Sequence, residues 1–232
     1  MLAPFHSFSC KRHCVAGREF RDKLNRRAKQ AGISLEKPLV EGLETYYQLL
    51  TKWNAKINLT AFRLTPEGDD AAVDRLLIEP VVAARYVPEN ARTLLDAGSG
   101  GGSPAIPLKL ARPMLDLTMV ESKARKAAFL REVVRELGLA NAFVETSRFE
   151  ELASRPGSEA STGLLTIRAV RLEPKLVKSM KRLLQSGGRV MTFQPSPDAQ
   201  SLNGFETLTS TALVLSPSRP AYLVSYQRSS LG

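Results

Sequence analysis

The chain has 232 residues, 43% of them hydrophobic, and carries a net charge of +10 at pH 7. This length and composition fit one α/β domain with a small appendage, and they exclude general disorder. No apolar run reaches the roughly 18–20 residues of a membrane span, and the first residues lack the features of a secretory signal. We therefore expect a cytoplasmic protein, and the basic balance favours a polyanionic partner, nucleic acid first.

Residues 1–15 show no hydrophobic periodicity and are predicted to form a mobile extension. They contain all the histidines and cysteines of the chain, namely His6, Cys10, His13 and Cys14. Their spacing matches no standard zinc pattern, so we predict no metal site, and two cysteines give no disulfide framework. Basic residues are concentrated near this end of the chain, with eight Lys or Arg among residues 1–30.

Three helices are predicted next, and together they form a helical N-terminal unit over residues 16–88. Their apolar residues recur at helical spacing over 16–31, 34–54 and 70–86. Pro88-Glu89-Asn90 then links this unit to the main domain, which is predicted to span residues 89–232.

The main domain alternates predicted strands and helices. The strands are predicted at 93–97, 115–120, 142–145, 164–167 and 189–193, and the helices at 104–111, 123–137, 148–153 and 173–185, the last stopped by glycines at 187 and 188. Two further strands, 207–214 and 222–227, are predicted to close the sheet as an antiparallel pair. This order predicts an α/β fold with a doubly wound, mostly parallel sheet covered by helices on both faces.

A glycine-rich stretch follows the first predicted strand, which ends at Asp96. Glycines stand at 98, 100, 101 and 102, and a helix is predicted to start directly after them. A strand, a tight glycine turn and a helix N-terminus form the place where doubly wound folds bind nucleotide-like ligands. The strict dinucleotide fingerprint fails at Ser103, which weakens the alternative of an NAD-dependent oxidoreductase. No Gly-Lys-Ser/Thr follows, so the stretch is not a P-loop.

A second acid, Glu121, ends the second predicted strand, and this pair of acids suits S-adenosylmethionine. Asp96 can face the amino group of the methionine moiety or order the loop, and Glu121 can accept both ribose hydroxyls. After the third strand, Phe149 can pack on the adenine ring, or it can be a core residue of a short helix. An ordinary α/β turn with a solvent-facing Glu121 remains the alternative for the pair of acids.

The chain resembles a known family, the small-subunit ribosomal RNA guanine-N7 methyltransferases, also called glucose-inhibited division protein B. The resemblance runs from about residue 20 to the C-terminus. It is carried by Trp53-Asn54 with Asn58-Leu59-Thr60, by the glycine loop with Pro104-Ala105-Ile106-Pro107-Leu108, by Glu121-Ser122 with Arg125-Lys126, and by Arg168-Ala169. It implies a class I methyltransferase, with a Rossmann-like seven-stranded sheet, an antiparallel closing strand and a small helical N-terminal part. It also implies methyl transfer from S-adenosylmethionine to N7 of a guanine in 16S ribosomal RNA or the 30S subunit.

Carried over by position, the resemblance implies roles for individual residues. The cofactor contacts would be Gly98, Ser103, Phe149, Glu150 and Arg168, and Asp96, Gly100, Gly102 and Glu121 join them from the loop pattern. The RNA-binding residues would be Arg125, Lys126 and Arg148. Guanine N7 has a free lone pair, so no general base is needed and catalysis is mostly positioning. Arg168 is the candidate catalytic residue that orients substrate or cofactor, and a structural salt bridge is its alternative role.

The chain departs from the family pattern in four places. Asp74-Arg75 stands for the usual Arg-His, and Ile78-Glu79 stands for Asp-Ser. Gly163 replaces an Asp, and Phe193-Gln194-Pro195 replaces a Leu-Lys-Gly segment whose lysine provides a phosphate or substrate contact. These departures leave open a non-catalytic RNA-binding or ribosome-assembly protein with the same fold. We expect a monomer.

Overall fold

The computed structural model describes residues 7–213 and 220–229, with side chains from residue 17 onward. Within these residues the chain forms seven strands, β1 (Thr93–Ala97), β2 (Asp116–Val120), β3 (Ala142–Glu145), β4 (Thr162–Arg168), β5 (Leu184–Gln194), β6 (Phe205–Ala212) and β7 (Tyr222–Arg228). They form one sheet in the order β3-β2-β1-β4-β5-β7-β6. The pairs among β1 to β5 are parallel, and β7 is antiparallel to both β5 and β6.

Helices cover both faces of the sheet. They are α1 (Ser7–Gln30), α2 (Lys37–Asn54), α3 (Asp70–Val73), α4 (Glu79–Ala83), α5 (Ala105–Ala111), α6 (Ala124–Glu136), α7 (Phe149–Ser154) and α8 (Pro174–Leu183). On one face α2 packs against α5 and α6, and α4 packs against α5. On the other face α7 packs against α8. Because β1 to β5 are parallel, their carboxyl ends meet at one edge of the sheet, between the two layers of helices.

Two hydrophobic clusters lie on the two faces of the sheet. Neighbouring residues of β1 point to opposite sides, because side chains alternate along a strand, so Leu94 belongs to one cluster and Leu95 to the other. The cluster of Leu94 also contains Phe20, Tyr46 and Leu77 from the N-terminal helices. The N-terminal helices and the sheet therefore share one hydrophobic core.

The first helix begins earlier than the sequence predicts. α1 starts at Ser7, so residues 7–15, predicted to precede the first helix, belong to it. The mobility of the extension stays a prediction. Residues 1–6 lie outside the described residues, as do the side chains of the four histidines and cysteines. The boundary at residue 88 between the helical unit and the main domain stays a prediction.

The predicted helix over 70–86 is present, but it is not a regular α-helix. Asp69 caps its start by accepting hydrogen bonds from the backbone of Ala71 and Ala72. Its middle is a π-helical turn, Asp74–Ile78, which we call the π segment, and a 3₁₀ turn follows α4. Pro80 explains the irregularity, because proline lacks an N–H and its ring clashes with the carbonyl four residues earlier in a regular helix. The wider turn instead lets the N–H of Glu79 bond the carbonyl of Asp74.

Strand β5 is longer than predicted and includes the glycines expected to stop the preceding helix. α8 ends at Leu183, and the strand starts at Leu184. A side chain at Gly188 would lie 2.9 Å from the carbonyl oxygen of Gln185, so the backbone there approaches too closely for any other residue. In the part of the chain that the structure describes, no helix is long and apolar enough to cross a membrane.

Candidate cofactor and acceptor site

The glycine loop after β1 has the backbone conformation that its sequence requires. Gly98, Gly100 and Gly102 have φ values of +73°, +53° and +88°, a region that residues with a side chain rarely adopt. The backbone N–H groups of Gly98 and Ser99 both donate to the carbonyl oxygen of Val120 at 3.0 Å. The loop is therefore fixed to the end of β2 while its turn stays free of side chains.

Asp96 lies directly beneath this loop and is only 1% exposed. Its Oδ1 accepts a hydrogen bond of 2.6 Å from the Thr166 hydroxyl, while its Oδ2 is buried with no partner among the described residues. Burial raises the pKa of the Asp96 carboxyl, and the hydrogen bond from Thr166 and the charge of Arg168 oppose that rise. A buried acceptor without a donor is unfavourable, and a positively charged donor from a ligand would relieve it.

Glu121 is also buried, at the end of β2, but both of its carboxylate oxygens have partners. Oε2 accepts from the backbone N–H of Gly100 at 2.9 Å, and Oε1 accepts from that of Lys123 at 2.8 Å. Glu121 thus orders the loop in addition to its predicted role. Each oxygen keeps a second lone pair, so the carboxylate can still accept ligand hydroxyls.

The turn after α2 braces the loop from the other side. The Asn54 side-chain oxygen accepts from the backbone N–H groups of Leu59 and Thr60 at 2.9 and 3.0 Å. The carbonyl oxygen of Leu59 would lie 3.2 Å from a side chain at Gly101. The Tyr46 hydroxyl donates to the Gly101 carbonyl oxygen at 2.6 Å. The Trp-Asn…Asn-Leu-Thr segment of the sequence therefore acts as a support for the glycine loop.

Arg168, at the carboxyl end of β4, joins three parts of the site and is 9% exposed. One terminal nitrogen donates to the backbone carbonyl of Arg75 and, at 3.0 Å, to the Ser103 hydroxyl. The other donates to Glu79 Oε2 at 3.2 Å, and the guanidinium carbon lies 4.4 Å from the Phe193 ring centroid. Burial lowers the pKa of Arg168 to about 10, while Glu79 raises it. Arg168 thus has a buried salt bridge to the first residue of α4, and its hydrogen bonds to Arg75 and Ser103 tie the π segment to the loop.

Glu79 was not predicted as a site residue, yet it is the acid of this network. Its side chain is 5% exposed and accepts from both Arg168 and the Arg75 guanidinium, the latter at 2.9 Å. Burial raises the pKa of Glu79, and the two arginines oppose that rise. The spacing of Arg75 and Glu79, four residues apart in a predicted helix, is the signal that indicates such a pair.

The other predicted site residues lie at the same edge of the sheet but in different surroundings. Phe149 is buried in the second hydrophobic cluster, and Glu150 beside it is half-buried. Arg125 and Lys126 start α6 after β2, and neither side chain has a partner among the described residues. Arg148 is exposed just before α7. The adenine contact and the RNA contacts of these residues stay predictions.

A cavity of about 340 Å³ opens at the carboxyl ends of β4 and β5. Its walls include Arg75 of the π segment, residues 169–172 after β4, and residues 192–195 at the end of β5. Val170, one of these wall residues, would lie 3.1 Å from a side chain at Gly98. The cavity therefore adjoins the glycine loop directly.

The fold and the site together define a class of protein. A parallel sheet with an antiparallel β7, a glycine loop after β1 and an acid at the end of β2 form the class I methyltransferase fold. Solved structures with this fold include a SAM dependent methyltransferase from Aquifex aeolicus, with a TM-score of 0.52, 14% identity and coverage of 69% of this chain and 94% of that one. The [4+2]-cyclase SpnF has a TM-score of 0.53 and 16% identity, covering 84% and 97%. At these identities the likeness concerns the fold alone.

Sequence relatives identify the family. The family model of rRNA small subunit methyltransferase G matches residues 39–218. The protein of that name from Ralstonia nicotianae is 38% identical over 186 residues, which cover 78% of this chain and 81% of that protein. The one from Halorhodospira halophila is 33% identical, covering 75% and 78%. The chain belongs to the rRNA small subunit methyltransferase G family. The predictions of fold class and family are confirmed, and the oxidoreductase alternative is not favoured.

Proposed function

We propose that this protein transfers a methyl group from S-adenosylmethionine to N7 of a guanine in 16S ribosomal RNA. Family membership supports a methyltransferase of the small ribosomal subunit. The observation that carries the cofactor assignment is the unpaired, buried Oδ2 of Asp96 beneath a loop of positive-φ glycines. It matches the ammonium group that S-adenosylmethionine carries.

Four groups of the chain would hold the cofactor, which supplies an electrophilic methyl group when bound. Asp96 would accept hydrogen bonds from the ammonium group, and Glu121 would accept from the ribose hydroxyls. The backbone of the glycine loop would lie along the methionine moiety, since no side chain blocks the approach. Phe149, with Glu150, would border the adenine.

The acceptor needs orientation rather than proton transfer, because guanine N7 carries a lone pair at neutral pH. All histidines and cysteines of the chain lie within residues 1–15, so none is among the site residues whose side chains the structure describes. Arg168 acts as a positioning residue here. Its hydrogen bonds to Ser103 and to the Arg75 carbonyl hold the loop and the π segment in one arrangement. Such fixed geometry is the main contribution an enzyme makes to a reaction between two bound partners.

The RNA would approach the carboxyl edge of the sheet. Arg125, Lys126 and Arg148 stand at the start of α6 and just before α7, where they would contact phosphates flanking the target base. The net charge of +10 supports such a partner. We place the protein in the cytoplasm, where the small subunit is assembled, and we propose that it acts as a monomer.

The test is methyl transfer from labelled S-adenosylmethionine to 30S subunits and to protein-free 16S RNA, both from cells that lack the modification. We expect label in the RNA of at least one substrate and calorimetric binding of S-adenosylmethionine but not of NAD. Binding of NAD alone would favour the oxidoreductase. Tight RNA binding without any label would favour the non-catalytic alternative.

A further inference from the structure

The cavity beside the glycine loop has the chemistry of a site for a nucleic acid base. Its volume of about 340 Å³ falls within the range of small-ligand pockets. Apolar side chains form much of its wall, among them Val170, Leu172 and Phe193. Among the described residues of its lining, the charged ones are two arginines, Arg75 and Arg171. Apolar or aromatic surfaces combined with arginine are the means by which proteins hold an unstacked base.

We infer that Arg75 donates a hydrogen bond to O6 of the target guanine in this cavity and so selects guanine over adenine. The inference rests on the proposed function and adds a specificity-determining residue to it. Nothing in the family resemblance predicts it, because arginine at position 75 is one of the departures of this chain.

Arg75 is held in place but keeps donors to spare. Its backbone carbonyl accepts from Arg168, and one terminal nitrogen donates to Glu79 at 2.9 Å. The other guanidinium nitrogens have no hydrogen-bond partner among the described residues, and the side chain is 24% exposed. An arginine anchored at one nitrogen and open at the others can present a donor in a fixed direction.

The two uncharged side-chain donors among the described residues of the cavity wall are already used, and one of them, the Thr192 hydroxyl, donates to the carbonyl oxygen of Val224 at 3.2 Å. The Gln194 side-chain amide nitrogen donates to the carbonyl oxygens of Ser196 and Asp198 at 2.8 and 2.9 Å. Arg171 is exposed and is better placed for a phosphate than for the edge of a buried base. Arg75 is therefore the side chain that can read the base.

The base chemistry decides what Arg75 would recognise. Guanine presents O6, an acceptor, beside N7, whereas adenine presents an amino donor in the same place. Arginine has donors only, so it pairs with O6 and repels the adenine amino group. N7 must stay free, since its lone pair forms the new bond to the methyl carbon while the cofactor sulfur keeps the electron pair of the broken bond. No proton moves in this step, and a single donor to O6 is compatible with it.

The test compares base analogues at the target position of 16S RNA, prepared by ligation of a synthetic segment. Inosine keeps O6 and N7 but lacks the 2-amino group, while 2-aminopurine keeps N7 and the amino group but lacks O6. The wild-type protein should methylate inosine within about threefold of guanine. The Arg75→Met variant should lower kcat/KM on guanine by about tenfold to a hundredfold, as for the loss of a charge-assisted hydrogen bond. It should lower the guanine to 2-aminopurine ratio by the same factor, with unchanged affinity for S-adenosylmethionine.

Matched variants separate base reading from other roles. Arg171→Met, in the same cavity, should lower kcat/KM equally on guanine and 2-aminopurine. Arg75→Lys keeps the charge without the planar fork and should retain part of the guanine preference. An unchanged guanine to 2-aminopurine ratio in folded Arg75→Met would overturn the inference, as would wild-type protein that rejects inosine as strongly as 2-aminopurine. Both results would leave the proposed function intact, whereas failure of the wild type to methylate guanine would refute the function itself.

Discussion

The two halves of the site use different chemical groups. The cofactor half, which comprises the glycine loop with Asp96 and Glu121, uses backbone N–H groups, positive-φ glycines and two carboxylates. The acceptor half, which comprises the π segment, Arg168 and the cavity at the ends of β4 and β5, uses buried charges that bind one another. The cofactor half depends on local sequence, and the acceptor half depends on residues brought together from distant parts of the chain.

The departures from the family pattern follow this division. The loop from Asp96 to Pro107 matches the family, while three of the four departures, at 74–75, 78–79 and 193–195, lie in the acceptor half. The family pattern has an arginine at position 74 and an aspartate four residues later, at position 78. In this chain an arginine and an acid with the same spacing stand one position further along, as Arg75 and Glu79. We interpret the acceptor half as the part in which this chain has adjusted how it holds its substrate.

Breaking the buried ion pair of the acceptor half should have the largest effect. Arg168→Met leaves Glu79 buried with one arginine instead of two, so we expect a loss of about 3 kcal/mol in the free energy of unfolding, as for other broken buried pairs. Urea denaturation measures it. Adding Glu79→Leu should recover part of the loss, because the buried carboxylate is then removed and the charge that loses its partner, Arg75, is 24% exposed. Arg85→Met, which removes an exposed arginine bonded to the Gly32 carbonyl, should change stability by less than about 1 kcal/mol. Equal losses in both single variants would contradict the importance of the network.

In the cofactor half, replacing the unpaired acid should affect binding more than folding. Asp96→Asn removes the charge that would face the ligand ammonium, so affinity for S-adenosylmethionine should fall about tenfold to a hundredfold. Isothermal calorimetry measures it, with Asp116→Asn, an exposed residue at the start of β2, as the control. Unchanged affinity would contradict the assignment of Asp96.

The same carboxyl predicts a dependence on pH. Burial raises the pKa of Asp96 above its ordinary 3.8, so the folded protein holds this proton more tightly than the unfolded chain does. The stability of the wild type should therefore fall as pH rises from 3.8 to the raised pKa of the folded protein, and Asp96→Asn should lack this contribution. Cofactor affinity should rise with pH over the same window, because the ammonium favours the ionised carboxylate. An affinity that is flat or decreasing there would contradict the proposed contact.

How far the sequence predicts the molecule differs between these halves. The alternation of strands and helices, the glycine turn and both carboxylates are predicted, because they depend on hydrophobic periodicity and on residues within one strand-turn-helix unit. The π segment is not predicted, because a proline inside a helical pattern can either kink or widen the helix. Only the surrounding packing decides which of the two conformations forms. The partnership of Arg168 with Glu79 joins residues 89 positions apart, which no local pattern reveals.

The support of the cofactor half from α2 predicts a smaller effect. Asn54→Ala removes the acceptor of two backbone N–H groups, so we expect a loss of about 1–2 kcal/mol in stability. Because the backbone of Leu59 is then held less firmly beside Gly101 of the glycine loop, affinity for S-adenosylmethionine should fall severalfold. Thermal unfolding and calorimetry measure the two effects, and Asn58→Ala, an exposed neighbour, is the control. Identical behaviour of the two variants would show that Asn54 does not support the loop.

The smallest effect on folding should come from the proposed RNA contacts of α6. The double variant Arg125→Ala/Lys126→Ala should change stability by less than about 0.5 kcal/mol, because neither side chain has a partner among the described residues. It should weaken RNA binding and reduce the slope of log affinity against log salt by about 2. Arg135→Ala, an exposed arginine paired with Glu136 on the same helix, is the matched control. RNA affinity equal to that of the wild type would remove α6 from the interface.

Mapping the modified base tests the central claim most directly. Unmodified 30S subunits are incubated with the wild-type protein and labelled S-adenosylmethionine, and the RNA is digested and analysed by mass spectrometry for the position and the atom that carry the methyl group. We predict one labelled guanine, methylated at N7, and labelling about tenfold to a hundredfold slower in the Asp96→Asn variant at low cofactor concentration. A methyl group on adenine, on cytosine or on another atom of guanine would contradict the account.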